Sequence, residues 1–378
     1  MPRLSATTCI LLCFTALSAC SAIGPESIRA NRADYNQAIQ QTNDQELLLN
    51  IVRIRYRDTL YFTTVERIAA TQQLEKSLGV NAGATFSQNR ELPLPFVNGT
   101  IPGLTVGQSI SVPASVSVTE NPTVFYAPIE GQKFVQQMMM PMSPETLELL
   151  VRSGWSLDRV FTVAVQEMNG LENAPTATGP TPSYEPEFQP FREAVHLMRK
   201  LQREHNLVLA QSAGKKTVEF RILHGQANSE TAMRLKEMLH LNPSLDHITL
   251  MSGEENQNDH TLAITTRPLM AALNYVSQGV EPPQRDIEAG RVRPTVHSDG
   301  KTPFDWQEML AGIFRVKSSP TPPANASVAI NYRNAWFYIE DNDLDSKSTF
   351  VLLTELIALH SVPPSSGGPV LAVNVGGG

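Results

Sequence analysis

An α+β fold is predicted by three observations: a helical run with one broad apolar face at 46–58, a long two-faced alternation at 104–119, and helix and strand periodicities that exchange repeatedly after residue 190. In the first, Leu47, Leu48, Ile51, Val52 and Ile54 recur at three- and four-residue spacing. In the second, Leu104, Val106, Ile110, Val112, Ala114, Val116 and Val118 stand opposite Thr105, Gly107, Ser109, Ser111, Ser115, Ser117 and Thr119, and Gln108 alone interrupts the apolar face.

The chain opens on "MPRLSATTCILLCFTALSAC", with an early Arg3, an apolar stretch from Ile10 to Leu17 and small residues before Cys20, which is the pattern of an export signal over 1–19. Its end, Leu17-Ser18-Ala19-Cys20, resembles the lipobox of bacterial lipoproteins. That resemblance implies cleavage before Cys20 and acylation of its thiol and new amine, and Ser21, which is no acidic retention signal, implies the outer membrane. Cys9 and Cys13 lie in the segment that would be removed, so an acylated Cys20 leaves no disulfide and no cysteine metal site. Several acyl chains make a stable anchor, because each buried CH2 contributes about 0.8 kcal/mol.

Loss of Arg3 and of no acidic residue moves the formal charge from −7 to −8. Nucleic acid and anionic lipid surfaces are therefore poor partners for the bulk of the chain. No later segment reaches the roughly 18 to 20 apolar residues of a membrane helix.

Residues 20–58 read as a lipid-anchored helical stem, polar at first and apolar towards its end, with Arg53, Arg55 and Arg57 as a solvated, cation-rich terminus that complements the helix dipole. Residues 59–128 read as a β-hairpin region. Val80, Ala82, Ala84 and Phe86 alternate on a first strand, and the Pro- and Gly-marked "QNRELPLPFVNGTIPG" leads to the second. Residues 129–170 read as helical: Ser143 and Pro144 start one helix, and Ser156 starts another that carries Val160, Phe161, Val163 and Met168 and ends at Asn169-Gly170. The Pro- and Thr-rich 171–190 reads as a linker.

Residues 191–378 then read as an α+β domain. Phe191, Val195, Met198 and Leu201 mark a helix, "NLVLAQ" and "KTVEFRIL" strands, Ala232, Leu235, Met238 and Leu239 a helix, "HITLMS" and "TLAITT" strands, and "PLMAALNYVSQG" a helix. "SVAINYRNAWFYIED" reads as a hairpin turning at Arg333-Asn334. The helix after it, about Ser346 to Leu359, is apolar almost all round and is expected at the centre of its domain. "NDQELLLNIVRIRYRD", "ENPTVFYAPIEGQKFVQQMMMPMSPETLELLVRSGW" and "WFYIEDNDLDSKSTFVLLTELIALHS" resemble segments of uncharacterised lipoproteins of Gram-negative envelopes. The resemblance implies a location and no activity.

The residues point away from catalysis. G-x-S-x-G, H-E-x-x-H and the P-loop signature are absent, "SAGKK" at 212–216 suits a turn, and His240 and His247 are separated by the helix-breaking "LNPSLD". Asp341, Asp343 and Asp345 alternate like the start of a calcium loop, but Ser346 replaces the glycine such a loop needs, so capping of a helix N-terminus is the preferred role. No cofactor and no metal are therefore expected, and Cys20 is the one modified residue.

The alternation at 104–119 exceeds the roughly 9 to 11 residues that cross a membrane in a barrel. One hairpin per chain closes a barrel only in a ring of at least about four copies, because the smallest barrels need about eight strands. Pro113, which cannot donate to a ladder, argues for a soluble β layer or a subunit-contact ribbon instead. The expected function is that of an outer-membrane lipoprotein facing the periplasm, held by its lipid, with a structural or assembly role and with envelope proteins or other copies as partners. The alternative is an oligomeric channel built from the ribbon, and the third a periplasmic enzyme or ligand-binding protein.

Overall fold

Helix α1, Ile23–Tyr56, is the first described element of the computed structural model, which describes residues 23–78, 81–83, 109–111, 114–128, 132–179, 182–212, 217–253, 257–360 and 371–374. The expected signal peptide and Cys20 lie outside these residues. The chain divides into two compact units, one of Met1–Phe62 with Pro128–Pro363, the other of Thr63–Ala127 with Pro364–Gly378. The fold is α+β, as the exchange of periodicities predicts.

In the first unit α1 has two halves. Arg32 to Asn43 is exposed apart from half-buried Tyr35 and Ile39. From Leu47 onward the predicted apolar residues are buried. Helices α2 (Gln132–Met139), α3 (Pro144–Arg152) and α4 (Leu157–Ala164) follow. Ser143 caps α3 as expected, its hydroxyl accepting from the Thr146 amide at 3.2 Å.

α4 ends earlier than the sequence suggests. Val165–Met168 is strand β5, Leu171–Glu172 is β6, and Asn169-Gly170 turns one into the other with φ of 44° and 81°. Asn-Gly accepts positive φ at both central positions, so the pair serves a hairpin rather than a helix end. The Ala164 carbonyl is taken by the Arg267 amide at 2.7 Å instead of continuing the helix.

The segment expected as a linker, 171–190, is packed into the unit. Asn173, Ala174 and Ala177 are buried, and Pro175–Thr178 forms a short 3-10 turn. Its prolines and threonines serve turns on a packed surface, with the Ala174 amide bonded to the Glu187 carbonyl.

Helix α5 (Gln189–Arg203), strands β7 (Leu207–Gln211) and β8 (Val218–Ile222), α6 (Glu230–Met238), β9 (His247–Ser252), β10 (Thr261–Thr266) and α7 (Leu269–Ser277) take the predicted order. The strands form one sheet of order β6-β5-β10-β9-β8-β7. It is antiparallel except between β9 and β10. Helix α3 lies along β7 to β9, α4 packs on α5, and α7 packs on α1.

After the short helices α8 (Gln284–Glu288) and α9 (Gln307–Leu310), β11 (Lys317–Ser319), β12 (Ala326–Tyr332) and β13 (Ala335–Glu340) form a second antiparallel sheet of order β11-β13-β12. Its hairpin turns at Arg333-Asn334 as predicted, with φ of 50° and 60°. The last helix of the unit, α10 (Leu344–His360), is not central. Phe350, Leu352, Leu353 and Leu356 are buried, but Val351 and Leu359 are 50% and 52% exposed. An all-round apolar composition does not require burial on every side when one face has no covering element among the described residues.

In the second unit, β1 (Thr63–Leu78), β4 (Ala114–Pro128) and β14 (Leu371–Asn374) form a sheet of order β1-β4-β14, and β2 (Asn81–Gly83) pairs antiparallel with β3 (Ser109–Ser111). The ribbon starts well before Val80, so Glu75 and Lys76 lie inside β1. Much of the predicted alternation, Leu104 to Gln108 with Val112 and Pro113, lies outside the described residues, as do Val80, Ala84 and Phe86 of the predicted first strand.

Candidate functional site

Along the exposed half of α1 the polar residues are not scattered. Gln37, Gln40, Gln41, Asp44 and Gln45 fall at helical spacing, in line with the buried Leu48, Ile51 and Val52 one and two turns on. One face of the helix is therefore apolar at its C-terminal end and amide-rich before it. That face lies against β12.

Where the apolar residues end, the helix and the sheet leave a groove. One stretch of about 450 Å³ is bounded by Gln37, Gln41 and Asp44 on the helix and by Pro323 and Ser327 opposite. A second, of about 500 Å³, is bounded by Glu46, Leu49, Arg53 and Tyr61. Gln45, Ala329 and Trp336 border both. Burial raises the Asp44 carboxyl above its usual range, and the Gln40 amide, donating at 2.6 Å, opposes this. The Gln45 amide donates to the Ala329 carbonyl at 3.4 Å. Amides, the two carboxyls of Asp44 and Glu46 and an indole can bind a polar chain by hydrogen bonds and stacking.

Ionic residues at the end of α1 hold it to its neighbours. Tyr56 donates to Asp286 at 2.6 Å, and Arg291 pairs with the other oxygen at 2.7 Å. Burial raises the Asp286 pKa, but these two donors outweigh it and hold the carboxyl below its ordinary 3.8. Asp58 receives Tyr332 and Arg333 from the β12-β13 turn, and Arg333 stacks on Tyr56. The predicted solvated arginine terminus is thus only partly solvated. Arg55 is 6% exposed and donates to Gln278 at 3.1 Å, because α1 continues under α7 instead of ending in water.

Arg267, fully buried, donates to the carbonyls of Thr162, Val163, Val165 and Asn173 and lies 4.0 Å over the Tyr275 ring. It closes the end of α4 and the turn after β6. Burial lowers its pKa to about 10 and raises that of Tyr275 to about 12, so the pair stays cation and phenol at neutral pH. Lys236, also buried, donates to the carbonyls of Ala227, Pro243 and Leu245. These are structural staples, each satisfying carbonyls that water cannot reach.

The alternating aspartates do not converge. Asp341 pairs with Lys347 at 2.6 Å, and Asp345 with Arg159 at 2.7 Å. Asp343 accepts from the Ser346 amide at 3.0 Å, which is the capping role preferred from the sequence. Among the described residues no group of three His, Cys, Asp or Glu could hold a metal ion. His240 caps the end of α6 with φ of 53°, whereas His247 faces Glu219 at 3.5 Å, so the two are separate.

Sequence reasoning missed the amide groove, although the spacing of Gln37, Gln40, Gln41, Asp44 and Gln45 was a signal for it. It also missed the exposed apolar residues Val135 and Met139 of α2 and Val351 and Leu359 of α10, two helices that touch. No helix among the described residues is long and apolar enough to cross a membrane. The chain matches no family model, no curated protein and no solved structure.

Proposed function

We propose that this protein is an outer-membrane lipoprotein, acylated at Cys20 and facing the periplasm, with a non-catalytic structural or assembly role in the envelope. The observation that carries this reading is the build of α1. The helix is described from Ile23, three residues after the lipobox cysteine, is largely exposed from Arg32 through Asn43, and becomes core at Leu47. At about 1.5 Å per residue, Ile23 to Glu46 spans about 36 Å, a spacer between a lipid anchor and a folded body. The amide groove and the exposed apolar region supply surfaces for partner proteins.

The test is metabolic labelling with a clickable fatty acid. The native chain takes the label, and Cys20→Ser leaves an unlabelled, longer precursor. Label retained by Cys20→Ser would overturn the reading.

A second reading, the channel, is favoured by one further property. Ser77–Asn89 and Leu92–Thr119 contain no Asp, Glu, Lys, Arg or His, and Asn81–Gly83 of the one pairs antiparallel with Ser109–Ser111 of the other. Charge-free arms fit a lipid environment, and β1, with Glu66, Arg67, Glu75 and Lys76, does not.

A further inference from the structure

Five buried side-chain nitrogen or oxygen atoms lack a hydrogen-bond partner among the described residues, and two of them, the Tyr275 hydroxyl and Asp158 Oδ1, belong to the walls of one cavity. It lies in the first unit and holds about 190 Å³. Tyr275 comes from α7, Asp158 and Thr162 stand one turn apart on α4, and Phe188 and Phe191 bound it where α5 begins. Every residue of its wall is among those described, and two of them, Arg192 and Ala311, are exposed and mark where it opens.

The fold makes no use of either unmet group. Tyr275 is fully buried with its ring under the Arg267 guanidinium at 4.0 Å, a contact that a phenylalanine ring would also make. Its hydroxyl adds nothing to that packing, and a buried hydroxyl without a partner is destabilising. Burial raises its pKa to about 12, so at neutral pH it remains a donor. Asp158 Oδ1 has the Arg199 Nε at 3.6 Å, too far for a hydrogen bond. Arg192, the cation in the wall, is engaged elsewhere: it donates to Gln189 at 2.7 Å and to the Glu308 carbonyl, and it stacks on Phe188.

The cavity therefore offers one neutral donor and one acceptor oxygen of a carboxyl group beside aromatic side chains. A hydroxyl both accepts and donates, so it answers either group, whereas an anion would meet Asp158 with no uncommitted cation opposite. Size narrows the class further. An apolar cavity of about 150 Å³ takes benzene. One of about 190 Å³ takes a single ring with a small polar substituent.

We propose that this cavity is a binding site for a small uncharged ring alcohol or phenol, its ring against Phe188, Phe191 and Met309, its oxygen accepting from Tyr275, and Asp158 receiving the ligand's own donor. The proposal goes beyond the envelope role and needs no acyl chain.

Methyl NMR of the full chain labelled at methionine tests it, because Met309 borders the cavity and its resonance is the one lost in Met309→Leu. Phenol, benzene and benzoate are titrated in turn. Phenol is expected to shift the Met309 resonance saturably, with benzene at least about fivefold weaker, the worth of one net hydrogen bond, and benzoate weaker still. Tyr275→Phe loses no hydrogen bond within the fold and keeps the ring under Arg267. In it phenol and benzene are expected to bind within about twofold of each other. Asp158→Asn is expected to narrow the gap between phenol and benzoate. An unshifted Met309 with phenol, benzoate as tight as phenol, a phenol preference that survives Tyr275→Phe, or an unchanged gap in Asp158→Asn would each overturn the proposal.

Discussion

Asp286 joins three elements through one carboxylate: the end of α1 through Tyr56, its own helix α8, and Arg291 beyond it. Its side chain is 1% exposed, so the charge is held by partners rather than by water. Because its folded pKa lies below 3.8, its contribution is fully present above about pH 4 and is lost as pH falls through the depressed value. Asp286→Asn is expected to lower the unfolding free energy by about 2 kcal/mol at neutral pH. The difference from the native chain should shrink below about pH 4, which thermal melts at stepped pH will read. A difference independent of pH would place the stabilisation in packing rather than in charge.

At the scale of elements, the β5-β6 turn shows how a local preference and a tertiary contact reinforce each other. Asn169 is buried; its amide donates to the carbonyls of Leu239 and Thr261, and its oxygen accepts from the Ala263 amide at 2.8 Å. Gly170, with φ of 81°, has open space where a Cβ would stand. Gly170→Ala therefore costs only the left-handed backbone, about 1 kcal/mol. Asn169→Ala removes the buried donor to the Leu239 carbonyl and the acceptor of the Ala263 amide and costs more, about 2 to 3 kcal/mol. Denaturant melts of the two variants check that order. β1 shows the opposite relation: "ERIAATQQLEK" is rich in helix formers, yet it is extended because β4 pairs with its backbone along the ribbon.

For the whole molecule the two units set separate expectations. Trp155, Trp306 and Trp336, the only tryptophans of the chain, all belong to the first unit, so their fluorescence reports its unfolding alone. β14 belongs to the second. Deleting residues 364–378 is expected to leave the tryptophan melt within about 1 °C, because no core residue of the first unit is lost, while amide exchange at Thr123–Tyr126 speeds up. A melt lowered by several degrees would mean that the units are energetically one.

By itself the sequence determined most elements of the first unit, because their periodicity is enforced by burial on one face: α1 from Leu47, α5, β7 to β10, and the β12-β13 hairpin are legible residue by residue. It determined the Ser143 cap and the role of Asp343, which depend on neighbours in the chain. Tertiary structure alone decided the rest. Whether Val165–Met168 is helix or strand depended on β10 and Arg267, and whether 171–190 is packed depended on the body it lies against. The course of 63–78 depended on β4. The pairing of Leu371–Asn374 with a strand about 250 residues earlier in the chain left no local trace, because a four-residue strand is too short for a period to stand out. Distant partners contribute through packing and ladder hydrogen bonds, and local spacing records only that a face will be covered, not by what.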